Sequence, residues 1–113
     1  MIIRNVTQNT VIAANAEAAD TALKRMAGLL GREALNAGEA LVITPCQSIH
    51  MLFMKFAIDV IFIDRQGTVV GLCSNIRPFQ FSPLFFKAHS AIEVPTGTIC
   101  STKTCLGDKI VLD

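Results

Sequence analysis

The stretch IDVIFIDRQGTVVGLCSNI, residues 58–76, places the tightest limit on what this chain can fold into. In an extended strand, side chains alternate between two faces, and here both faces are apolar. The first face carries Ile58, Val60 and Phe62, and the second carries Asp59, Ile61 and Ile63. A strand that is apolar on both faces is typical of the centre of a sheet that is covered on both sides. The turn residues DRQGT then predict a hairpin to a second strand, TVVGLCSNI.

Short apolar runs bounded by turn residues predict further strands along the rest of the chain. They are residues 2–6, residues 10–14, LVIT before Pro45, AIEVPTG and the final KIVLD, with a helical turn in TICSTKTCLGD. The segment DTALKRMAGLLGRE instead has helical spacing, with a stripe formed by Ala19, Leu23, Met26, Leu29 and Leu30. We therefore predict an α+β, mainly β domain over residues 1–113. Its strands would form a sandwich or a half-open small β-barrel, with one amphipathic helix near the N-terminus.

Composition and charge exclude several classes of function. The net charge is +1, and no block of Lys and Arg is present that could follow a phosphate backbone, so nucleic acid is not an expected partner. No apolar run reaches the ~18 residues that cross a bilayer. The first ten residues lack the pattern of a signal peptide, so we expect a cytoplasmic, bacterial-type protein without a membrane span.

The four cysteines are predicted to be reduced thiols rather than a disulfide framework, since such frameworks are a feature of small secreted chains. They are Cys46, Cys73, Cys100 and Cys105. The sequence has no C-x-x-C pair, so the usual structural zinc pattern is missing. We expect neither a metal nor a cofactor.

The segment PCQSIHMLFMKFAIDVIFID, residues 45–64, places Cys46, His50 and Asp59 in a mostly apolar run. Two kinds of chemistry are suggested: Cys46 as nucleophile with His50 as base, or a metal held by all three. In a strand, however, Cys46 and His50 would be ~13 Å apart, and His50 and Asp59 ~30 Å apart on opposite faces. We therefore interpret the segment as two strands with a break at KFA. Its polar residues would be separate points on a pocket or a core edge.

Each candidate residue keeps a structural and a functional interpretation. Asp59 either caps a turn, pairs with one of the cations Arg25, Lys55 and Arg77, or faces a ligand. His50 and Cys46 are either satisfied core residues or part of a site, and His89 is expected in a surface loop. The phenylalanines of RPFQFSPLFFKAHS form either a lid over the core or an exposed contact patch. They are Phe79, Phe81, Phe85 and Phe86.

Four blocks in order, RMAGLLGREAL, PCQSIHMLFMKFAIDVIFIDRQGTVV, AIEVPTG and LGDKIVL, resemble the family of domain of unknown function 192, also called uncharacterised protein family 0127. The resemblance covers about four fifths of the chain. Leu30, Met51 and Ala57 depart from the family pattern, which often has Met, Thr and Pro there. The resemblance implies a β-sandwich or half-open barrel with one helix, and it implies no activity. The positions it carries over are Arg25, Gly28, Leu29, Pro45, Cys46, Ser48, Ile49, His50, Phe53, Met54, Ile58, Asp59, Phe62, Asp64, Glu93, Gly97, Gly107 and Asp108.

Together these observations predict a small non-enzymatic domain that binds a small molecule or a protein partner, the partner through the four phenylalanines. The pocket is expected near His50 and Asp59, and its candidate residues are Arg25, Cys46, Ser48, His50, Phe53 and Asp59. The alternative is a small enzyme, a hydrolase or a thiol enzyme, that uses Cys46, His50 and Asp59. A third interpretation is an accessory role in an envelope or secretion assembly.

Overall fold

The computed structural model describes residues 1–19, 34–52 and 54–113. These residues form eight strands and one short helix, α1, in a mainly β arrangement, as predicted. The strands are β1 (Ile3–Asn5), β2 (Thr10–Ala13), β3 (Asn15–Ala19), β4 (Glu39–Ile43), β5 (Ile58–Ile63), β6 (Val69–Ile76), β7 (Ser90–Pro95) and β8 (Ile110–Leu112), and α1 is Thr98–Ser101. The predicted amphipathic helix lies outside the described residues, apart from Ala19, which ends β3.

The strands pair into two sheets, with orders β2-β1-β8 and β3-β4-β7-β5-β6. The pair β3–β4 is parallel and every other pair is antiparallel. Beside the paired strands, an isolated bridge between Thr68 and Lys109 connects the edge of the larger sheet to the smaller one. These pairings do not close into a barrel, and the choice between a sandwich and a half-open barrel stays a prediction.

The strand β5 confirms the two-sided apolar pattern, because all six of its residues are buried. Its Ile61 and Ile63 belong to one core cluster, which also takes in Ile3 and Ile110 from the smaller sheet. Its alternate residues Ile58, Val60 and Phe62 face a second cluster on the other side of the larger sheet. The hairpin to β6 is present, and β5 lies between β7 and β6.

Among the described residues, two irregular segments cover the second cluster. They comprise residues 44–57, of which residue 53 is not described, and residues 77–89. The prediction of a strand in the first half of segment 45–64 is wrong. Among the described residues between β4 and β5, the isolated bridge of His50 with Phe81 is the only strand-like pairing. The reason is that the backbone crosses the face of the sheet and bonds to the second segment, with Met51 N–H donating to the Gln80 carbonyl at 2.8 Å.

One phenylalanine of the second segment anchors that segment to the sheet. The ring of Phe85 stacks obliquely on Phe62, with ring centroids 4.6 Å apart. Its ring also fills the space over Gly71, where an added Cβ atom would lie 2.5 Å from two ring carbons. Gly71 therefore lets the segment approach the sheet closely. The other three phenylalanines named in the sequence, Phe79, Phe81 and Phe86, point into solvent.

Candidate functional site

An open cleft of about 670 Å³ lies where three chain segments meet, at the end of β5. Its walls are residues 45–47 after β4, residues 64–66 after β5, and residues 86–89 before β7. The strands β4 and β5 both lie next to β7 in the sheet, so the ends of all three strands converge here. The site is not visible as one motif in the sequence, since its three walls are at least 17 positions apart along the chain.

Backbone hydrogen bonds tie the first and third walls together. The Cys46 N–H donates to the His89 carbonyl at 3.0 Å, and the His89 N–H donates to the Ile63 carbonyl at 2.8 Å. The Phe85 N–H donates to the Gln47 carbonyl at 2.9 Å. The amide of Gln47 then donates to the Phe86 carbonyl, also at 2.9 Å. Four bonds over so short a distance hold the cleft in a defined shape.

The second wall is the hairpin turn after β5, and Asp64 shapes it. Its Oδ1 accepts from the backbone N–H groups of Gln66 and Thr68, both at 2.9 Å. Gly67 adopts φ 86°, and a Cβ there would also collide with the Ile110 carbonyl oxygen. Asp64 therefore has a structural role in this Asx turn. The next residue, Arg65, is exposed and lines the cleft.

The charges that line the cleft are mainly positive. Arg65 stands on one wall and Lys87 on another, and His89 lines the cleft beside Lys87. The single carboxylate is Asp64, which is engaged in its turn. Cations on two walls of a concave site complement a small anion, and a guanidinium offers a forked pair of donors to carboxylate or phosphate.

Cys46 is the predicted site residue that lines this cleft. It is half-buried, and its thiol donates to the Ser48 carbonyl, with Sγ and O 3.1 Å apart. Ser48 and His50 are both exposed on the segment that follows. Arg25 and Phe53 lie outside the described residues.

Asp59 lies in a different environment and acts as a cap. It is 1% exposed, and its two carboxylate oxygens accept three backbone N–H groups. Oδ1 accepts from Asn75 at 2.8 Å, and Oδ2 accepts from Gly97 at 3.1 Å and Ile99 at 3.0 Å. The last two donors lie at the start of α1, whose own N-cap residue is Gly97 and offers no side-chain oxygen. The structure therefore shows the capping interpretation of Asp59.

The predicted set is therefore distributed over three environments. Cys46 lines the cleft, His50 is exposed beside Phe81, and Asp59 is buried under α1. No hydrogen bond between described residues joins any two of the three. Among the described residues, no three His, Cys, Asp or Glu side chains are grouped so as to hold a metal ion. Within the same part of the chain, no helix is long and apolar enough to cross a membrane.

Glu93 is a buried ionisable group that the family resemblance carries over but that the sequence patterns did not indicate as a site residue. It lies on β7 opposite Leu41 of β4 and Val60 of β5, and it is 4% exposed. Its Oε1 is buried without a hydrogen-bond partner. Burial raises the pKa of Glu93 to about 7. An acidic residue inside the apolar strand AIEVP was the signal in the sequence that could have identified it.

Comparison with known proteins places the whole chain in one family. The model of domain of unknown function 192, described as "Uncharacterized ACR", matches residues 3–112. The chain belongs to this family. A UPF0127 protein of Thermococcus sibiricus is 38% identical over 112 residues, which cover 94% of this chain and 71% of that protein. A UPF0127 protein of Pyrococcus abyssi is 34% identical over 96% of this chain and 95% of that protein.

Solved structures show the same fold as this member of the domain of unknown function 192 family. A crystal structure of a protein of unknown function from Novosphingobium aromaticivorans is similar with a TM-score of 0.83 and 20% identity. The match covers 98% of this chain and 82% of the Novosphingobium chain. A protein of Sinorhizobium meliloti, provisionally described as a transcription regulator, has a TM-score of 0.79 and 18% identity over 97% and 89% of the two chains. The curated relatives are archaeal, so the expectation of a bacterial-type protein stays a prediction.

Proposed function

We propose that this member of the domain of unknown function 192 family is a binding module that takes a small anionic ligand into the cleft at the end of β5. The single observation that carries the proposal is the placement of Arg65 and Lys87 on different walls of one concave site. A ligand held between them can neutralise both cations, whereas the same residues on a flat surface would be screened by water and salt.

The Cys46 thiol donates to the Ser48 carbonyl, with Sγ and O 3.1 Å apart, and lines the wall of the cleft. A small enzyme that uses Cys46, His50 and Asp59 stays a second prediction. The larger pocket also stays a prediction, with Arg25, Cys46, Ser48, His50, Phe53 and Asp59 as its candidate residues. Of these six residues, Cys46 lines the cleft proposed here.

Titration calorimetry with inorganic phosphate, pyrophosphate and succinate tests this proposal. We expect at least one of these anions to bind, and added salt to weaken it. The double variant Arg65→Glu, Lys87→Glu should bind about ten-fold more weakly or worse, because both attractive contacts become repulsive.

The matched control is Arg77→Glu, Lys103→Glu, which reverses two exposed cations outside the cleft and makes the same change in net charge. Its affinity should stay within about two-fold of the unmodified protein, since distant exposed charges are screened. Absence of binding for all three anions would refute the proposal. An equal loss of affinity in both double variants would also refute the proposal, because the loss would then follow from the change in net charge and not from the position of the cations.

A further inference from the structure

An exposed apolar surface on segment 77–89 lies mostly outside the cleft. We call it the aromatic patch and define it as Phe79, Phe81, Leu84 and Phe86. The exposed fractions of these residues are 67%, 66%, 51% and 79%, respectively. Scattered apolar residues on a surface need no explanation, but four within eight residues form a concentrated patch. Patches of this kind mark sites that meet another apolar phase.

The backbone under the patch is held in place, so its side chains stay exposed. The Phe79 N–H donates to the Met51 carbonyl at 2.9 Å, and the Ser82 N–H donates to the Ile49 carbonyl at 2.8 Å. The Ser82 hydroxyl accepts from the Ile49 N–H at 2.7 Å. Phe85, between the exposed residues, packs its ring on Phe62 in the core. The segment is therefore anchored by one inward ring, and its other rings point outward.

The layer that carries the patch has no acidic residue. Neither residues 40–58 nor residues 65–92 contain an Asp or a Glu. Arg77 and Lys87 flank the patch at its two ends, and both are exposed. Within the described part of the chain, neither makes an ion pair. The described part of this face is thus apolar at its centre and positive at its ends.

We propose that the aromatic patch docks on the surface of a lipid bilayer that carries anionic headgroups. Such a surface offers in one place what the patch lacks: an apolar phase for the rings and phosphates for the cations. The side chains of the patch protrude, with more than half of each exposed. A fluid bilayer makes no demand for a fitted shape. The protein lies on the membrane and does not span it.

This proposal stands apart from the anion cleft. Phe86 and Lys87 belong to both surfaces, but Phe79 and Phe81 lie outside the cleft. Substitution of the latter two therefore removes the patch and leaves the cleft lining intact. Membrane binding and anion binding can then fail independently.

Co-sedimentation of the full chain with vesicles tests the proposal. We expect binding to vesicles of phosphatidylcholine with phosphatidylglycerol, little binding to phosphatidylcholine alone, and a decrease as salt is raised. Phe79→Ser, Phe81→Ser should weaken binding to the anionic vesicles about ten-fold or more, since two exposed rings no longer insert. Arg77→Glu should weaken it about five-fold or more.

The chain offers a matched control for the ring substitutions. Leu106→Ser removes an apolar side chain that is also 66% exposed, but in the 103–109 segment beside the smaller sheet. This variant should bind as the unmodified protein does, and thermal unfolding should show that all variants fold. The proposal is overturned if anionic vesicles do not bind or if Leu106→Ser causes the same loss. A chain that binds a single-stranded oligonucleotide but not the vesicles would also overturn it, in favour of a nucleic-acid surface.

Discussion

Single residues show how this fold treats its buried carboxylates differently. Asp59 accepts three backbone N–H groups, so its charge replaces the missing N-cap of α1. Glu93 is as deeply buried, but its Oε1 has no partner. A buried carboxyl group thus stabilises the fold at Asp59 and opposes folding at Glu93. Hydrogen-bond partners decide the difference, since a buried charge without them carries its full desolvation cost.

Glu93 predicts an unusual dependence of stability on pH. Its pKa is raised from 4.5 to about 7 in the folded protein, so between these values the folded state binds more protons than the unfolded state. The free energy of unfolding should therefore fall as pH rises from about 5 to about 8, by up to ~3 kcal/mol. Urea unfolding at a series of pH values measures this decrease. Glu93→Gln should flatten it, because the titrating group is gone.

The matched control for Glu93 is the exposed Glu17 on β3. Glu17→Gln should keep the fall in stability between pH 5 and pH 8. If Glu93→Gln kept the same slope as Glu17→Gln, another group would have to cause it.

At the scale of elements, the β5–β6 hairpin is the local pairing of the larger sheet, whereas its other pairings and the layer over it join residues far apart in the sequence. The β5–β6 hairpin follows from its turn residues and its alternation. The two covering segments have no periodicity of their own and are held by side chains such as Phe85 and by bonds between the segments. Their attachment to the sheet consequently depends on small residues beneath them, above all Gly71.

Gly71→Ala is expected to loosen the covering layer without disrupting β6. The new methyl group would lie 2.5 Å from two ring carbons of Phe85, so the ring must move and the segment with it. We expect a loss of about 1–3 kcal/mol in the free energy of unfolding, as for other overpacked cores. Hydrogen exchange of the Phe85 amide, which bonds to the Gln47 carbonyl, should also become faster.

A second substitution separates the steric collision from a change in strand propensity. Phe85→Leu alone should destabilise by loss of packing, whereas Gly71→Ala with Phe85→Leu should cost less than the sum of the two single changes. Simple additivity of the two losses would contradict the proposed contact.

At the scale of the whole molecule, polar residues near the two ends of the sequence connect the smaller sheet to the C-terminal turn. Asn5 is fully buried, and its amide donates to Thr104 Oγ1 at 3.2 Å and to Asp108 Oδ2 at 3.0 Å. Its own Oδ1 accepts from the Gln8 N–H at 3.0 Å. These bonds join residues that are about 100 positions apart, so they form only when the complete domain is folded.

Asn5→Ala should therefore reduce global stability rather than local order. It leaves Asp108 with one donor fewer and the Gln8 N–H without its acceptor. We expect a loss of about 2 kcal/mol or more in the free energy of unfolding, measured by urea denaturation. Asn15→Ala, at an exposed asparagine of β3, is the control and should change stability by less than about 1 kcal/mol. Equal losses in the two variants would contradict the role given to the buried amide.

The sequence by itself determined most of the strands, the β5–β6 turn and the two-sided burial of β5, because alternation and turn chemistry report on the few residues around each position. It did not predict β3, whose residues NAEAA lack β-branched and aromatic side chains, and it wrongly predicted a strand before the break at KFA. It also carried the motifs that identify the family. Only the tertiary structure decided which polar residues meet. The Cys46 N–H donates to the His89 carbonyl, and Asp59 caps residues 97–99. Those partners are about 40 positions apart, and their meeting depends on the order of strands in the sheet, which no local pattern contains.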